Sequence, residues 1–236
     1  VSAAAVLVAV LLLPVLQIYG SSMNPNLSEG DYVLSGTWQG QVVVEATEEE
    51  KVHLILEGVT ITSAEGPAIY EKVSDKLILT LAEGTTNILT DATSVSDGED
   101  TLAAALYAED DLSINGTGTL VVNGVAGNGI QSKADLVIAC GDIQVTAEGD
   151  GIKGRNSVLV LDGTLTVNAQ GDGIVSTRDN KEGKGYVVIA GGTLNITTGT
   201  GATSATSGVT PQGMNRMGGR GWTSTTTTSS DSVSQK

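Results

Sequence analysis

The feature that most constrains the fold is a short repeat in the second half of the chain. The pairs Gly129–Ile130, Gly151–Ile152 and Gly173–Ile174 recur at intervals of 22 residues, and short apolar runs separated by Gly or Asp-Gly turns follow each pair. Thr164–Ala169 alternates polar and apolar side chains, as a half-buried strand does. A propeller blade needs about 40 residues, whereas one coil of a parallel β-helix takes roughly 20–25. We therefore predict an all-β fold, a right-handed parallel β-helix, over residues 32–201.

The repeat is interrupted once. The segment Asp91–Asp100 is polar and acidic and does not fit the period. We expect it to be a loop that protrudes from one coil.

Composition agrees with a fold of stacked strands. The chain has 31 Gly and no Phe, and 40% of its residues are hydrophobic, mainly Val, Ile, Leu and Ala. Small β-branched side chains pack well on a pleated surface. The formal net charge is −15, with 12 Lys and Arg. This excludes nucleic acid as a partner, because phosphate binding needs clustered basic residues.

The first residues of the chain differ from the repeats. Residues 1–18 are apolar apart from Ser2 and Gln17. Their number is about what a helix needs to cross a bilayer. We therefore expect residues 1–19 to form a transmembrane anchor helix, through which the protein contacts the membrane.

A compact motif comes directly after this apolar run. Tyr19–Asp31 reads Tyr-Gly-Ser-Ser-Met-Asn-Pro-Asn-Leu-Ser-Glu-Gly-Asp and resembles the serine box behind the membrane anchor of bacterial type I signal peptidases. The resemblance covers about residues 1–34, matches the nucleophilic serine to Ser22, and implies that the rest of the chain lies outside the cytoplasm. The family's lysine base has no counterpart here, and a serine without a base is a poor nucleophile. We expect residues 20–31 to be a junction with a vestigial Ser22 and no peptidase activity.

Several phrases of the repeat region form a recognisable set. They are Lys51–Ile61, Asp110–Gly116, Asn128–Lys133, Gly149–Arg155 and Gly183–Tyr186. Together they resemble a family of secreted clostridial carbohydrate-binding β-helices with a polysaccharide-lyase-like fold. The resemblance implies binding of polysaccharide at the cell surface, either acidic sugars such as polygalacturonate or cellulose, with calcium. The Gly-, Ser- and Thr-rich residues 202–236 are also typical of that family, and we expect them to be a flexible, low-complexity tail.

Stacked coils place equivalent side chains above one another. Asn128, Asp150 and Asp172 each directly precede a Gly-Ile pair, so neighbouring members would lie about 4.8 Å apart. Stacked carboxylates repel one another unless a cation lies between them. With Asp179 and Glu182 from a later loop, these residues are the predicted ligands of calcium, which prefers oxygen. The alternative for each Asp-Gly is a plain turn, which both residue types favour.

Basic and aromatic residues of the same repeats are the candidates for sugar binding. They are Lys153, Arg155, Arg178, Lys184 and Tyr186. Arginine can pair with a sugar carboxylate through two parallel hydrogen bonds. The alternatives are charge balance with neighbouring Asp residues and, for Tyr186 as for Tyr70 and Tyr107, packing at a strand edge.

Three functions remain open at this point. The first is non-catalytic, calcium-assisted polysaccharide binding at the cell surface, which we predict. The second is a pectate-lyase-like enzyme with Arg155 or Arg178 as base, although arginine rarely gives up its proton. The third is a structural adhesin or surface spacer.

Overall fold

The computed structural model describes residues 15–17, 25–98, 100–199 and 233–235. Every regular element in these ranges is a β-strand, so the predicted all-β class is confirmed. The strands in chain order are β1 (Val15–Gln17), β2 (Asn26–Leu27), β3 (Gly30–Gln39), β4 (Val42–Glu45), β5 (Lys51–Thr62), β6 (Ile69–Val73), β7 (Lys76–Leu81), β8 (Thr86–Thr90), β9 (Val95–Asp97), β10 (Asp100–Leu102), β11 (Ala104–Ala108), β12 (Asp111–Gly116), β13 (Thr119–Gly124), β14 (Asn128–Ser132), β15 (Asp135–Ile138), β16 (Asp142–Ala147), β17 (Ile152–Gly154), β18 (Ser157–Val160), β19 (Thr164–Ala169), β20 (Ile174–Ser176), β21 (Tyr186–Ile189), β22 (Thr193–Thr198) and β23 (Val233–Gln235).

The strands other than β1, β3, β9 and β10 form three stacks in which all neighbours are parallel. Stack A has the order β5-β7-β12-β15-β18-β21, stack B the order β5-β8-β13-β16-β19-β22, and stack C the order β2-β4-β6-β11-β14-β17-β20-β23. The long strand β5 belongs to both A and B, since its first half pairs with β7 and its second half with β8. β3 pairs along β5 and with β1.

The chain visits the three stacks in turn and so follows a coil. From β11 onward it passes through C, A and B, and then returns to C one layer further on. The register places Ile130, Ile152 and Ile174 beside one another, which is the stacking that the 22-residue repeat predicts. Parallel strands in a coiled path are therefore confirmed, while the right-handedness of the coil stays a prediction.

The core lies inside the coil and consists of aliphatic layers. In stack A one inward column runs through Val52, Leu77, Leu112, Leu136 and Val158, all fully buried. Alternate residues of each strand face this interior because side chains point to opposite faces of a sheet. A fully buried Val, Leu or Ile contributes about 1.5–3 kcal/mol relative to an exposed one. Stacked aliphatic side chains thus supply a core without Phe.

The segment Asp91–Asp100, expected to protrude, instead leads into a hairpin that packs against the coil. β9 and β10 pair antiparallel. A second hydrophobic cluster on the outer face of stack C contains Tyr70, Leu102, Ala104 and Tyr107, with Val43 and Val95 packed against it. Tyr70 and Tyr107 meet edge to face, with ring centroids 5.8 Å apart. Val95 and Leu102 attach the hairpin to the coil through this cluster, so the expectation of a protruding loop is wrong.

The two ends of the chain also add strands. The anchor helix predicted over residues 1–19 is wrong at Val15–Gln17, which form β1 and pair with Val33–Ser35. An end strand leaves backbone groups unpaired, and a further parallel strand satisfies them. The rest of that helix, and Ser22, lie outside the described residues. So does most of the predicted tail over 202–236, except Val233–Gln235, which pair with β20.

A search of the described residues for a helix able to span a membrane found none.

One carboxyl group lies buried where stack C meets stack A. Glu71 is fully buried, and its Oε2 accepts a hydrogen bond of 3.0 Å from the backbone N–H of Asp110. Its Oε1 has no hydrogen-bond partner among the described residues. Burial raises the pKa of Glu71 from 4.5 to about 7. Keeping this group charged therefore opposes folding.

Glu71→Gln tests that cost. The raised pKa means that the folded state holds the proton more tightly than the unfolded chain, so stability is lost as pH rises from 4.5 to about 7. The neutral amide removes this loss. We expect E71Q to raise the free energy of unfolding by on the order of 2 kcal/mol at about pH 8, and by much less at about pH 5. Urea unfolding measures both values. The exposed Glu148→Gln is the control, and equal effects of the two variants would contradict the prediction.

Candidate functional site

A cleft of about 360 Å³ lies on the outer face of stack C, beside the β9–β10 hairpin. Asp100 and Thr101 of the hairpin line one side. The lining residues from the coils are Tyr107, Gln131, Ser132, Lys133, Lys153, Arg155 and Thr177. Parallel pairing aligns Tyr107, Gln131 and Lys153 in successive layers, so the floor is built from one outward column.

Two lysines of the cleft are paired with carboxylates. The Nζ of Lys133 lies 2.6 Å from Asp100 Oδ2 and 2.9 Å from Glu109 Oε2. Burial alone would lower the pKa of Lys133, but the hydrogen bonds to Asp100 and Glu109 outweigh it and raise the pKa above its ordinary value. The Nζ of Lys153 lies 2.9 Å from Asp150 Oδ2. Both ammonium groups are therefore held by carboxylates of the protein.

Arg155 is the cation of the cleft that is open to a ligand. Its side chain is exposed, and within the described part of the chain no hydrogen bond or ion pair engages its guanidinium group. A guanidinium group offers a planar set of five N–H donors that matches a carboxylate. Because Lys133 and Lys153 are balanced by Asp100, Glu109 and Asp150, the positive charge that the cleft offers a ligand is that of Arg155. This arrangement can bind an anionic group and donate hydrogen bonds to hydroxyls.

The other predicted sugar-binding residues lie elsewhere. Arg178 donates from Nη1 to Asn156 Oδ1 at 2.7 Å. The Nζ of Lys184 lies 2.6 Å from Asp135 Oδ2, at the edge of stack A. Tyr186, 38% exposed, begins β21 of the same stack. The structure thus brings Lys153 and Arg155 together in the cleft and places Lys184 and Tyr186 on another side of the coil.

Sequence reasoning missed Lys133 and Gln131, although the repeat points to both. Lys133 precedes Arg155 by one 22-residue period, and Gln131 precedes Lys153 by the same interval. The register confirms the second pair directly. A column-by-column reading of the repeat would have identified them. The hairpin residue Asp100 carries no such signal, because the hairpin does not repeat.

The predicted calcium ridge is a ladder of hydrogen bonds. Asn128 Oδ1 accepts from the backbone N–H of Asp150 at 2.8 Å, and Asp150 Oδ1 accepts from the N–H of Asp172 at 3.0 Å. The remaining oxygen of Asp150 pairs with Lys153. Each side chain therefore ties its coil to the next. The alternative to calcium binding, in which these residues serve the conformation of the backbone, fits Asn128 and Asp150.

Two glycines make room for this ladder. A Cβ on Gly149 would lie 2.6 Å from Asn128 Oδ1, and one on Gly171 would lie 2.6 Å from Asp150 Oδ1. Real Cβ atoms do not approach an oxygen so closely. Glycine at these positions thus serves the close approach of the side chain one coil below.

Side-chain oxygens of Asn128 and Asp150 in the ridge already accept hydrogen bonds from the next coil. In the described residues no group of three or more His, Cys, Asp or Glu side chains is placed to hold a metal ion. Asp179 and Glu182 lie exposed in the loop between β20 and β21. Calcium binding therefore stays a prediction, in which the oxygens of Asn128 and Asp150 would bind the ion beside the hydrogen bonds that they already accept.

Asn128→Ala and Asn128→Asp separate the two roles of the ladder. Alanine removes the acceptor for the N–H of Asp150, so we expect a loss of about 1–2 kcal/mol in the free energy of unfolding. Aspartate keeps the acceptor but loses the hydrogen bond of 2.6 Å from Asn128 Nδ2 to Gln131 Oε1, so we expect a smaller loss of about 0.5–1 kcal/mol. Urea unfolding with EDTA and with added calcium measures both. If N128A matched wild type in EDTA and differed only in calcium, the ladder would be a metal site.

Comparisons with known proteins agree with this geometry. Residues 27–236 match the family described as carbohydrate-binding domain-containing protein. A protein of that description from Acetivibrio thermocellus is 48% identical over 171 residues, which are 71% of this chain and 60% of the relative, so the chain spans less than two thirds of that protein. A solved structure of the polysaccharide lyase-like protein from C. thermocellum, a gadolinium derivative, has a TM-score of 0.71 at 38% identity and 75% coverage of both chains. The chain belongs to the family of carbohydrate-binding domain-containing proteins.

Proposed function

We propose that the cleft over stack C binds a carboxylated polysaccharide, such as polygalacturonate, without cleaving it. The observation that carries this proposal is the exposed, unengaged guanidinium group of Arg155 between the hairpin and the coil, within the part of the chain that the structure describes. On a protein of net charge −15, a guanidinium group that no protein carboxylate of the described residues engages favours sugars that carry negative charge. Arg155 would pair with a sugar carboxylate, while Lys153 and Gln131 would donate to hydroxyls.

Binding without catalysis is the form of the proposal that the cleft supports. Cleavage by a lyase needs a base that removes the proton next to the carboxylate. The cations of the cleft are Lys133 and Lys153, both engaged with carboxylates, and Arg155. Arginine stays protonated in proteins, and the ammonium groups of both lysines are held by carboxylates of the protein. A lyase assay that follows unsaturated product by ultraviolet absorbance should therefore show no sustained product, and sustained product would contradict the proposal.

The place of action in the proposal is the cell surface. Polysaccharides of this kind lie outside the cell, so a protein that binds them would act there. Calcium remains a separate hypothesis on Asn128, Asp150, Asp172, Asp179 and Glu182.

Arg155→Ala tests the proposed site. Loss of charged hydrogen bonds of about 1.5–3 kcal/mol predicts that affinity for polygalacturonate falls at least about tenfold. Lys184→Ala removes the same charge from another side of the coil and should leave affinity unchanged. Affinity electrophoresis in gels that contain polygalacturonate or a neutral glucan measures both variants.

Three outcomes would change this proposal. Equal losses in R155A and K184A would mean that net charge, and not the cleft, drives binding. Absence of retardation on every glycan would favour a structural spacer. Retardation of the wild type that disappears in EDTA would add calcium to the binding mechanism.

A further inference from the structure

One wall of the cleft carries a carboxylate of the protein itself. Asp100 opens β10, and its Oδ2 lies 2.6 Å from the Nζ of Lys133. Both residues line the cleft. Lys133 could bind a carboxylate of a ligand, but it is already bound by a carboxylate of the hairpin, that of Asp100.

We propose that Asp100 is a built-in competitor that determines the specificity of the cleft. Its carboxylate takes the place on Lys133 that a sugar carboxylate takes in the complex, and a bound acidic glycan displaces it. This inference rests on the proposed function of the cleft. A neutral glycan has no group that can replace Asp100 on Lys133, so the hairpin excludes it from that position.

The two acidic partners of Lys133 are not equivalent. The side chain of Asp100 is 48% exposed, whereas that of Glu109 is 21% exposed and belongs to the coil, directly after β11. Lys133 is 22% exposed, but water reaches the Asp100 end of the pair, which weakens the attraction and lets Asp100 exchange. Glu109 stays on Lys133 when Asp100 leaves, so the displacement does not strand an unpaired charge.

The hairpin has other contacts that keep it folded when Asp100 leaves. Tyr70 donates from Oη to Asp97 Oδ2 at 2.9 Å. Leu102 is 2% exposed in the hydrophobic cluster beneath the hairpin, and Val95 packs against the same cluster. Displacement therefore changes the β10 side of the hairpin next to the cleft and leaves its apolar attachment in place.

Asp100→Asn and Glu109→Gln together test the competitor. Each removes one negative charge beside Lys133, so simple charge repulsion predicts that both bind tri-galacturonate more tightly. A competitor predicts opposite results. D100N should bind about two- to fivefold more tightly, because an exposed ion pair no longer has to break. E109Q leaves Asp100 as the sole partner of Lys133 and should bind equally or more weakly. Calorimetry measures these affinities, and equal gains in both variants would overturn the proposal.

A second measurement observes the hairpin directly. Amide hydrogen exchange at Asp100–Leu102, the strand next to the cleft, should become faster in the wild type when tri-galacturonate is added, and should be faster in D100N without sugar. Exchange at Val95–Asp97 should stay unchanged in both cases, because its contacts remain in place. A neutral cello-oligosaccharide should leave the wild-type exchange unchanged. Unchanged exchange in D100N, or a loss of tri-galacturonate binding in D100N, would overturn the inference.

Failure of the competitor can be told from failure of the cleft. If R155A still binds tri-galacturonate as the wild type does, the proposed function itself is wrong. If R155A loses affinity for tri-galacturonate while D100N gains no affinity, the cleft is the binding site and Asp100 does not compete with the sugar.

Discussion

Backbone hydrogen bonds between successive parallel strands set the position of every side chain in the coils. Because the register is held over each layer, residues at equivalent places in successive coils lie next to each other. Ile130, Ile152 and Ile174 do so at intervals of 22 residues. Inward columns become a continuous aliphatic core, and outward columns become continuous surfaces. The binding surface of such a protein is thus built by repetition. A substitution in one coil changes one position of an outward column.

The hairpin breaks this repetition and turns a flat sheet face into a cleft. It adds a second small core over Tyr70 and Tyr107, which removes both rings from solvent. It also places Asp100 opposite the column that contains Lys133 and Arg155. A surface that would otherwise be an even row of side chains acquires a wall, a charge and a defined depth.

The difference between the repeating coils and the hairpin, which does not repeat, also decides how much of the structure the sequence could predict. Period and alternation predicted stacked strands from Gly129 to Ala169 and the alignment of Asn128 with Asp150, and the structure shows both. They could not predict where the Asn128 oxygen points, because its partner is a backbone N–H one coil away. They also could not place the hairpin, whose packing depends on Val95 and Leu102 in a segment that does not repeat. Arg155 and Lys184 looked equivalent in sequence but belong to different sides of the coil.

The central claim is that an acidic glycan binds on the outer face of stack C, against the hairpin. A crystal structure of the protein with an oligogalacturonate tests it most directly. We expect a sugar carboxylate within about 3 Å of the Arg155 guanidinium group, with Asp100 moved away from Lys133. An oligosaccharide bound on stack A or stack B, with the cleft empty and the contact between Asp100 and Lys133 intact, would contradict it.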